Sequence, residues 1–211
     1  SKTSKVTTFS TSSYAPSSLN AIICRTNATA FEYFFKFHGY LNGEKKIRLE
    51  VDGKRSKDIF SGIFQLRANK RPTCKELQNF SSYQELVDHI QVFGEVEGAT
   101  TELKTFLDLT NQYSWQVIEW ALENSMADDE TDPKNTLVIS TSHKSKGLEW
   151  DNVLIAKGFN YKILDKKLMI SADEKRLLYV TVTRAKNILF TDGINDLLEH
   201  LNSKNTEISN A

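Results

Sequence analysis

The sequence predicts an α/β fold in which a parallel sheet carries the binding loops. Two short runs, 137–139 and 153–156, are rich in β-branched residues and apolar at successive positions, as expected of strands that are covered on both faces. A third run, 21–24, is followed by Thr26 or Asn27 as a helix cap and then by a helical stripe of apolar residues. This strand-loop-helix unit places polar residues at the carboxyl end of a strand, where open α/β sheets tend to bind ligands.

The middle of the chain interrupts this pattern, so we expect an insertion. Within it, 47–51 alternates like an edge strand, 58–66 has the apolar pattern of a helix, and Ser82 with Glu85 predicts a capping box before another helix. The expected divisions are a linker or irregular lead-in at 1–19, an α/β domain at 20–40 and 134–201, an inserted, mainly helical subdomain at 41–133, and a flexible tail at 202–211.

The returning half of the α/β domain has its own signals. An acidic turn at 128–133 is expected to bring the chain back to the sheet. Ser171 and Glu174 predict a second capping box, which begins a helix over 173–186. A strand at 187–191 and a closing helix at 194–201 are expected to follow.

The segment between the two apolar runs is crowded with side chains that can contact a polyanion. Hydroxyls, an imidazole and two ammonium groups occur within six residues: Thr141, Ser142, His143, Lys144, Ser145 and Lys146. Gly147 lets the backbone turn or approach a ligand closely. The pattern predicts a binding loop at the end of a buried strand.

Three strings resemble motifs of superfamily 1 DNA helicases of the UvrD/Rep type, in the order in which that family has them. Cys24-Arg25-Thr26-Asn27-Ala28 is similar to motif IVa, 141–151 (TSHKSKGLEWD) to motif V, and 173–185 (DEKRLLYVTVTRA) to motif VI. The strings FQLRANKRP, FSSYQEL and ELKTFLDLTNQYSWQVIEW are most similar to the F-box DNA helicase branch and its bacterial or phage relatives. The resemblance covers 20–195 and implies the second RecA-like motor domain, a P-loop NTPase-type fold.

The resemblance also implies roles for individual residues. Arg184 is implied to be the catalytic arginine that reaches the γ-phosphate across the cleft, where a rigid, permanently charged guanidinium suits phosphoryl oxygens. Glu149 is implied either to bind the ribose or to orient that arginine, and Gly147 is counted with the nucleotide-binding positions. The residues implied to contact DNA are Arg25, Thr26, Asn27, Thr141, His143 and Lys146. For Arg176 and Tyr179, which also match motif positions, we expect mainly structural roles.

Charge is zero overall but unevenly distributed. Residues 43–75 carry ten basic and four acidic groups, whereas 76–132 carry one basic and thirteen acidic groups. Zero net charge argues against a protein that binds nucleic acid with its whole surface. We expect basic residues of this block to contact the phosphates along a DNA backbone. They are Lys45, Lys46, Arg48, Lys54, Arg55, Lys57, Arg67, Lys70 and Arg71.

Other patterns limit the class of protein. The two cysteines and four histidines lack ligand spacing, so no metal site is expected in the chain. No apolar run approaches a membrane span and no signal peptide is recognisable. We therefore expect no membrane partner and a location in the cytoplasm of a bacterium or a phage-infected cell, or in the nucleus.

The sequence also lacks parts of a complete motor. It contains no GxxxxGKS/T phosphate loop and no apolar strand that ends in the paired acids of a Walker B site. Use of ATP and Mg²⁺ is therefore expected to require an N-terminal RecA-like motor domain, either in the same polypeptide or in another chain.

The expected function is that of the C-terminal motor half of an ATP-dependent DNA helicase, with 3′-to-5′ polarity and with single-stranded and duplex DNA as partners. The alternative is a non-catalytic RecA-like module that binds DNA or protein. The missing phosphate loop favours the alternative for the isolated chain, whereas the polar residues of motifs V and VI favour the motor.

Overall fold

The computed structural model describes residues 7–9, 15–41, 43, 45–94, 98–124 and 135–209. Within these ranges the strands are β1 (Thr7–Phe9), β2 (Ala21–Cys24), β3 (Lys46–Glu50), β4 (Thr136–Thr141), β5 (Trp150–Ile155), β6 (Tyr161–Leu164), β7 (Lys167–Ile170) and β8 (Ala185–Phe190). The α-helices are α1 (Asn27–Leu41), α2 (Gly53–Arg67), α3 (Tyr83–Phe93), α4 (Gly98–Gln112), α5 (Trp115–Asn124), α6 (Ala172–Val182) and α7 (Asn195–Ser209).

Six strands form one sheet in the order β1-β8-β5-β2-β4-β3, and every neighbouring pair is parallel. β2 lies near the centre, with Ala21 in register with Val138 of β4 on one side and with Val153 of β5 on the other. The predicted α/β class with a parallel sheet is confirmed. A separate antiparallel hairpin is formed by β6 and β7.

The central strands are apolar on both faces because helices cover both sides of the sheet. On β2, Ile22 and Cys24 belong to one core, whereas Ala21 and Ile23 belong to the other. The first core is filled mainly by aromatic residues of α1, α2 and α4, such as Phe31 packed edge-on against Phe60. The second core lies between the sheet and helices α6 and α7. This alternation explains why the strands lack polar positions in the sequence.

Helix starts follow the expected chemistry. The Thr26 hydroxyl accepts the backbone N–H of Thr29 and so caps α1. Ser82 and Ser171 likewise accept the N–H groups of Glu85 and Glu174. Asp52 caps α2 in the same way, so this helix begins at Gly53, earlier than the predicted 58.

Only half of each predicted capping box forms. The Glu85 carboxylate accepts the N–H of Ser81, at 2.7 Å, instead of that of Ser82. The Glu174 carboxylate turns away from its own helix start and accepts hydrogen bonds from other elements. A capping box requires the acid to point back along the helix, and here a stronger partner competes for it.

Several segments differ from the sequence-based boundaries. Thr7–Phe9, within the expected irregular lead-in, pairs in parallel with β8, and α7 continues to Ser209 through most of the expected flexible tail. The predicted edge strand at 47–51 is an edge of the main sheet, since β3 pairs with β4. The acidic turn at 128–133 lies outside the described residues. No helix among the described residues is long and apolar enough to cross a membrane.

The described parts of the predicted insertion are mainly helical: strand β3 is followed by helices α2 to α5. These helices share the first core with α1 and with strands β3 and β4. On α5, Ile118, Ala121 and Leu122 are buried, whereas Val117 is 38% exposed. The division into a sheet domain and an inserted subdomain stays a prediction.

Candidate functional site

The carboxyl edge of the sheet contains a crevice at its centre. From β2 the chain builds β3 and β4 on one side, then crosses to β5 and β8 on the other. The loops that follow β2, β4 and β5 therefore approach one another. This is the position at which open α/β sheets bind their ligands.

The residues predicted to bind DNA line two adjoining pockets in this crevice. We call the first the strand-end pocket; its lining is Arg25, Thr26, Asn27, Asp52, Arg55, Glu102, Thr141, His143 and Lys144. The second, the α6 pocket, is lined by Arg25, Ser142, His143, Lys146, Asp173, Glu174, Arg176, Leu177 and Val180. The structure thus brings together all six residues that were predicted from two separate stretches of sequence, and Arg25 and His143 face both pockets.

Three of the six have side chains that shape the loops. The Thr26 hydroxyl caps α1, and the Asn27 side-chain oxygen accepts the N–H of Asp52. Thr141 is buried, and its hydroxyl lies 3.4 Å from the backbone nitrogen of Lys144, which donates to it. These contacts hold the loops after β2 and β4 in fixed conformations, so any contribution of these three side chains to a ligand competes with an internal bond.

Arg25 is held by a buried acid that the sequence did not single out as a site residue. Its Nε lies 3.0 Å from both carboxylate oxygens of Glu174, whose side chain is 4% exposed. The same carboxylate accepts the backbone N–H of Asn160 at 2.9 Å. The terminal amino groups of Arg25 make no described hydrogen bond, so the guanidinium is positioned through Nε while its outer donors face the pockets.

Buried hydroxyls fix the loop after β4. Ser142 donates both its backbone N–H and its hydroxyl to the carbonyl of Cys24, and it accepts a hydrogen bond from Thr181 at 2.8 Å. Ser145 donates its hydroxyl to the carbonyl of Ser142. Sequence reasoning counted Ser142 and Ser145 among polyanion contacts, but both are fully buried. Because a buried polar group needs a partner, these serines tie the loop to β2 and α6.

The exposed basic side chains of the crevice are on the same loop. His143, Lys144 and Lys146 are exposed, and their side chains make no hydrogen bond or ion pair with any described residue. Gly147 follows them with φ +86°, a conformation that glycine adopts readily.

Below the loop, burial raises the pKa of the Cys24 thiol, with a further contribution from Glu32, so this cysteine is a neutral core group.

Four of the ten basic residues in the block 43–75 are engaged in contacts inside the molecule. Arg55 pairs with Glu76 and Glu102 at 3.0 Å, and Arg67 donates to the carbonyl of Thr110 while its guanidinium lies over the Tyr83 ring. Further internal contacts are those of Lys45 with the Leu19 carbonyl and of Arg48 with Glu50. These four residues therefore bind groups of the protein itself, whereas they were expected to contact DNA phosphates.

The residues predicted to act on the nucleotide lie elsewhere on the sheet. Glu149 immediately precedes β5 and Arg184 immediately precedes β8, and Trp150 donates its N–H to the Arg184 carbonyl at 2.9 Å. Both therefore lie at the amino ends of neighbouring strands, whereas the DNA candidates follow the carboxyl ends of β2 and β4. The loop 142–149 connects the two regions, with Gly147 on its path.

The Arg184 side chain makes three hydrogen bonds within the chain. Its Nε donates to the carbonyl of Val180, Nη1 to that of Leu148 and Nη2 to the Thr183 hydroxyl, at 2.8, 2.8 and 2.9 Å. A guanidinium has five N–H donors, so two remain for another acceptor. Glu149 is exposed and has no described partner.

Tyr179 and Arg176 do not have packing roles. Tyr179 is 70% exposed on α6. Arg176 forms an exposed ion pair with Asp173, one helical turn away. The expected structural role is wrong for Tyr179, because a side chain this exposed contributes little to the core.

Comparison with known proteins identifies relatives of this chain. The family model of the UvrD-like helicase C-terminal domain matches residues 19–194. F-box DNA helicase protein 1 of Schizosaccharomyces pombe is 29% identical over 169 residues, 74% of this chain, and F-box DNA helicase 1 of Gallus gallus is 28% identical over 85% of it. ATP-dependent DNA helicase Rep of Buchnera aphidicola is 45% identical over 62 residues, 28% of the chain and 9% of Rep.

These matches confirm the predicted resemblance to the F-box DNA helicase branch. The chain spans 19% of the length of each F-box relative. The family match covers the motif strings on β2, the β4–β5 loop and α6, together with five of the six strands of the main sheet. The chain belongs to the UvrD-like helicase C-terminal domain family.

Proposed function

We propose that this domain is the C-terminal motor half of an ATP-dependent DNA helicase that moves 3′-to-5′ along single-stranded DNA. The observation that carries the proposal is the arrangement of two separate polar regions on one sheet. The first, at the carboxyl ends of β2 and β4, has exposed lysines. The second, at the amino ends of β5 and β8, has a positioned arginine beside Glu149, which has no partner in the described part of the chain.

On the DNA side, the outer amino groups of Arg25 and the ammonium group of Lys146 would contact phosphates. Both are charge-assisted donors, which suit phosphate oxygens. His143 faces both pockets, so it would contact a base or the adjoining backbone. Thr26, Asn27 and Thr141 would support this strand mainly by fixing the loops.

On the nucleotide side, the residues present fit one half of an ATP site. ATP brings a triphosphate on which negative charge shifts during phosphoryl transfer, and a guanidinium is a fitting partner for it. Arg184 retains two N–H donors for this purpose, and the carboxylate of Glu149 can accept hydrogen bonds from ribose hydroxyls. At Gly147 the absence of a side chain leaves room for close approach.

We assign no residue of this chain to Mg²⁺. Among the described residues, no group of three histidine, cysteine or acidic side chains is arranged to hold a metal ion. The proposal therefore pairs this domain with an N-terminal RecA-like domain that would hold Mg²⁺ and the phosphates. The isolated 211 residues should then show no DNA-stimulated ATP turnover in a phosphate-release assay.

The test is Arg184→Lys in a protein that joins this chain to a first motor domain. Lysine keeps the charge but loses the planar fork, so turnover should fall by about 10³-fold while affinity for single-stranded DNA stays within twofold. Lys75→Arg, a charge-preserving exchange at an exposed position in the connection between α2 and α3, is the matched control and should leave turnover unchanged.

One observation favours the binding module as a second candidate. All three described hydrogen bonds of Arg184 go to its own chain, which a purely structural arginine would also show. In that case Arg184→Lys would lower the free energy of unfolding and leave turnover intact. This result would overturn the motor assignment of Arg184.

A further inference from the structure

The hairpin of β6 and β7 presents an outer face that no motif accounts for. Lys162 is paired across the strands with Met169, and Leu164 with Lys167. All four are exposed, including Leu164 at 55% and Met169 at 57%. On this face Lys162 and Lys167 therefore lie on one diagonal of the strand pair, and Leu164 and Met169 lie on the other.

The hairpin is a rigid element of the fold. Its two-residue turn has Asp165 at φ 48° and Lys166 at φ 59°, the positive values that a tight hairpin turn requires at both positions. Its inner face packs against the second core through Tyr161, Leu168 and Ile170. The Tyr161 hydroxyl also donates to Asp196 of α7, and burial together with this acid raises the pKa of Tyr161.

Both ends of the hairpin are fastened to the acid that holds Arg25. Asn160, just before β6, donates its N–H to the Glu174 carboxylate, and Ser171, just after β7, accepts the N–H of Glu174. The same carboxylate binds Arg25 at 3.0 Å. The hairpin is therefore anchored beside the strand-end and α6 pockets, and its position depends on the residue that positions Arg25.

We propose that the outer face of this hairpin binds duplex DNA next to the strand held in the pockets, an inference that rests on the proposed function. Charge favours a polyanion, since Lys162, Lys166 and Lys167 outnumber Asp165 on the hairpin's exposed surface. Lysines on the diagonal of a strand pair lie about 7–8 Å apart at their Cα atoms, within reach of successive phosphates for such long side chains. Leu164 and Met169 belong to the apolar side chains that proteins place against base steps of a duplex.

The first experiment compares binding of wild type and Lys162→Glu/Lys167→Glu to a single strand, a blunt duplex and a fork. The charge-reversed variant should lose at least about tenfold in fork affinity, and the slope of log affinity against log salt should become shallower by about two. Affinity for the single strand should stay within twofold. Lys75→Glu/Lys186→Glu, at two exposed lysines away from the hairpin, is the control with the same change in charge.

The second experiment places a photocrosslinking benzoylphenylalanine at Leu164, with Val92 of α3, which is exposed at least as much, as the control position. Crosslinks at 164 should map to the duplex close to the junction and exceed those at 92. If the charge-reversed variant binds the fork as tightly as the control variant does, the hairpin proposal is overturned. The same result is expected if this face binds an acidic protein instead of DNA. Absence of any DNA binding by the wild type would overturn both this inference and the proposed DNA role.

Discussion

At the scale of single residues, Glu174 illustrates how one side chain can organise a site. It is a nearly fully buried carboxylate that accepts hydrogen bonds from Arg25 and from the Asn160 backbone. A buried charge is tolerated only when it is paired and hydrogen-bonded, and both conditions are met here. Arg25 is consequently fixed by a partner 149 positions away in sequence.

Glu174→Gln should lower the free energy of unfolding by roughly 1–3 kcal/mol, because the amide keeps one acceptor but loses the charge that Arg25 pairs with. The lower part of this range is expected, since Arg25 is 26% exposed and solvent screens the pair. Urea denaturation monitored by circular dichroism measures the change. Asp173→Asn, in an exposed pair on the same helix, is the control and should be neutral; an equal loss in both variants would contradict the special role of Glu174.

His143→Ala should weaken the coupling between DNA and ATP turnover in a protein that contains both motor domains. The imidazole is exposed between the two pockets, after the carboxyl end of β4, whereas Arg184 precedes the amino end of β8, so nucleotide affinity should stay within about twofold. Turnover measured with and without single-stranded DNA should show a smaller stimulation. A loss of nucleotide affinity with normal stimulation would mean that the loop after β4 does not serve DNA.

At the scale of elements, close packing of a loop backbone against a strand end limits which residue type can occupy the loop. The 3₁₀ turn Asp192–Ile194 lies over the end of β5, and a Cβ atom on Gly193 would be 2.2 Å from the Ala156 carbonyl oxygen. This atom is backbone and cannot rotate away. Glycine is therefore required at 193 by contact.

Gly193→Ala should lower the free energy of unfolding by about 1–3 kcal/mol through overpacking, because either the turn or the end of β5 has to shift. Gly39→Ala is a matched control, since a Cβ at 39 meets nothing within 4 Å in helix α1, and it should be neutral or slightly stabilising. Thermal and urea denaturation of both variants give the comparison. Equal stability of the two would show that the turn over β5 adjusts freely.

At the scale of the whole molecule, the distribution of charge matters more than its sum. The chain is neutral overall, and four basic residues of the block 43–75 make internal contacts, such as Arg55 with Glu102. The crevice itself has a small set of exposed lysines, Lys144 and Lys146. A small number of phosphate contacts is the expected result.

Binding of single-stranded DNA by the isolated chain should therefore be weak and should decrease steeply with salt. With about three phosphate contacts on a single strand, the slope of log affinity against log salt should be near −2. Fluorescence anisotropy at several salt concentrations measures it. Tight binding that does not depend on salt would contradict an interface built on phosphate contacts.

The sequence alone determined the α/β class, the central strands, the starts of α3 and α6, and the family, because apolar runs, capping serines and motif strings are local patterns. It also named the six crevice residues, although their roles came from resemblance. Only the tertiary structure decided that Glu174 pairs with Arg25, that Ser142 and Ser145 are buried, and that β3 joins the main sheet. The reason is physical: a partner 149 residues away, or a neighbour in a sheet, is chosen by packing and by burial of charge, and neither is encoded within a short stretch of chain.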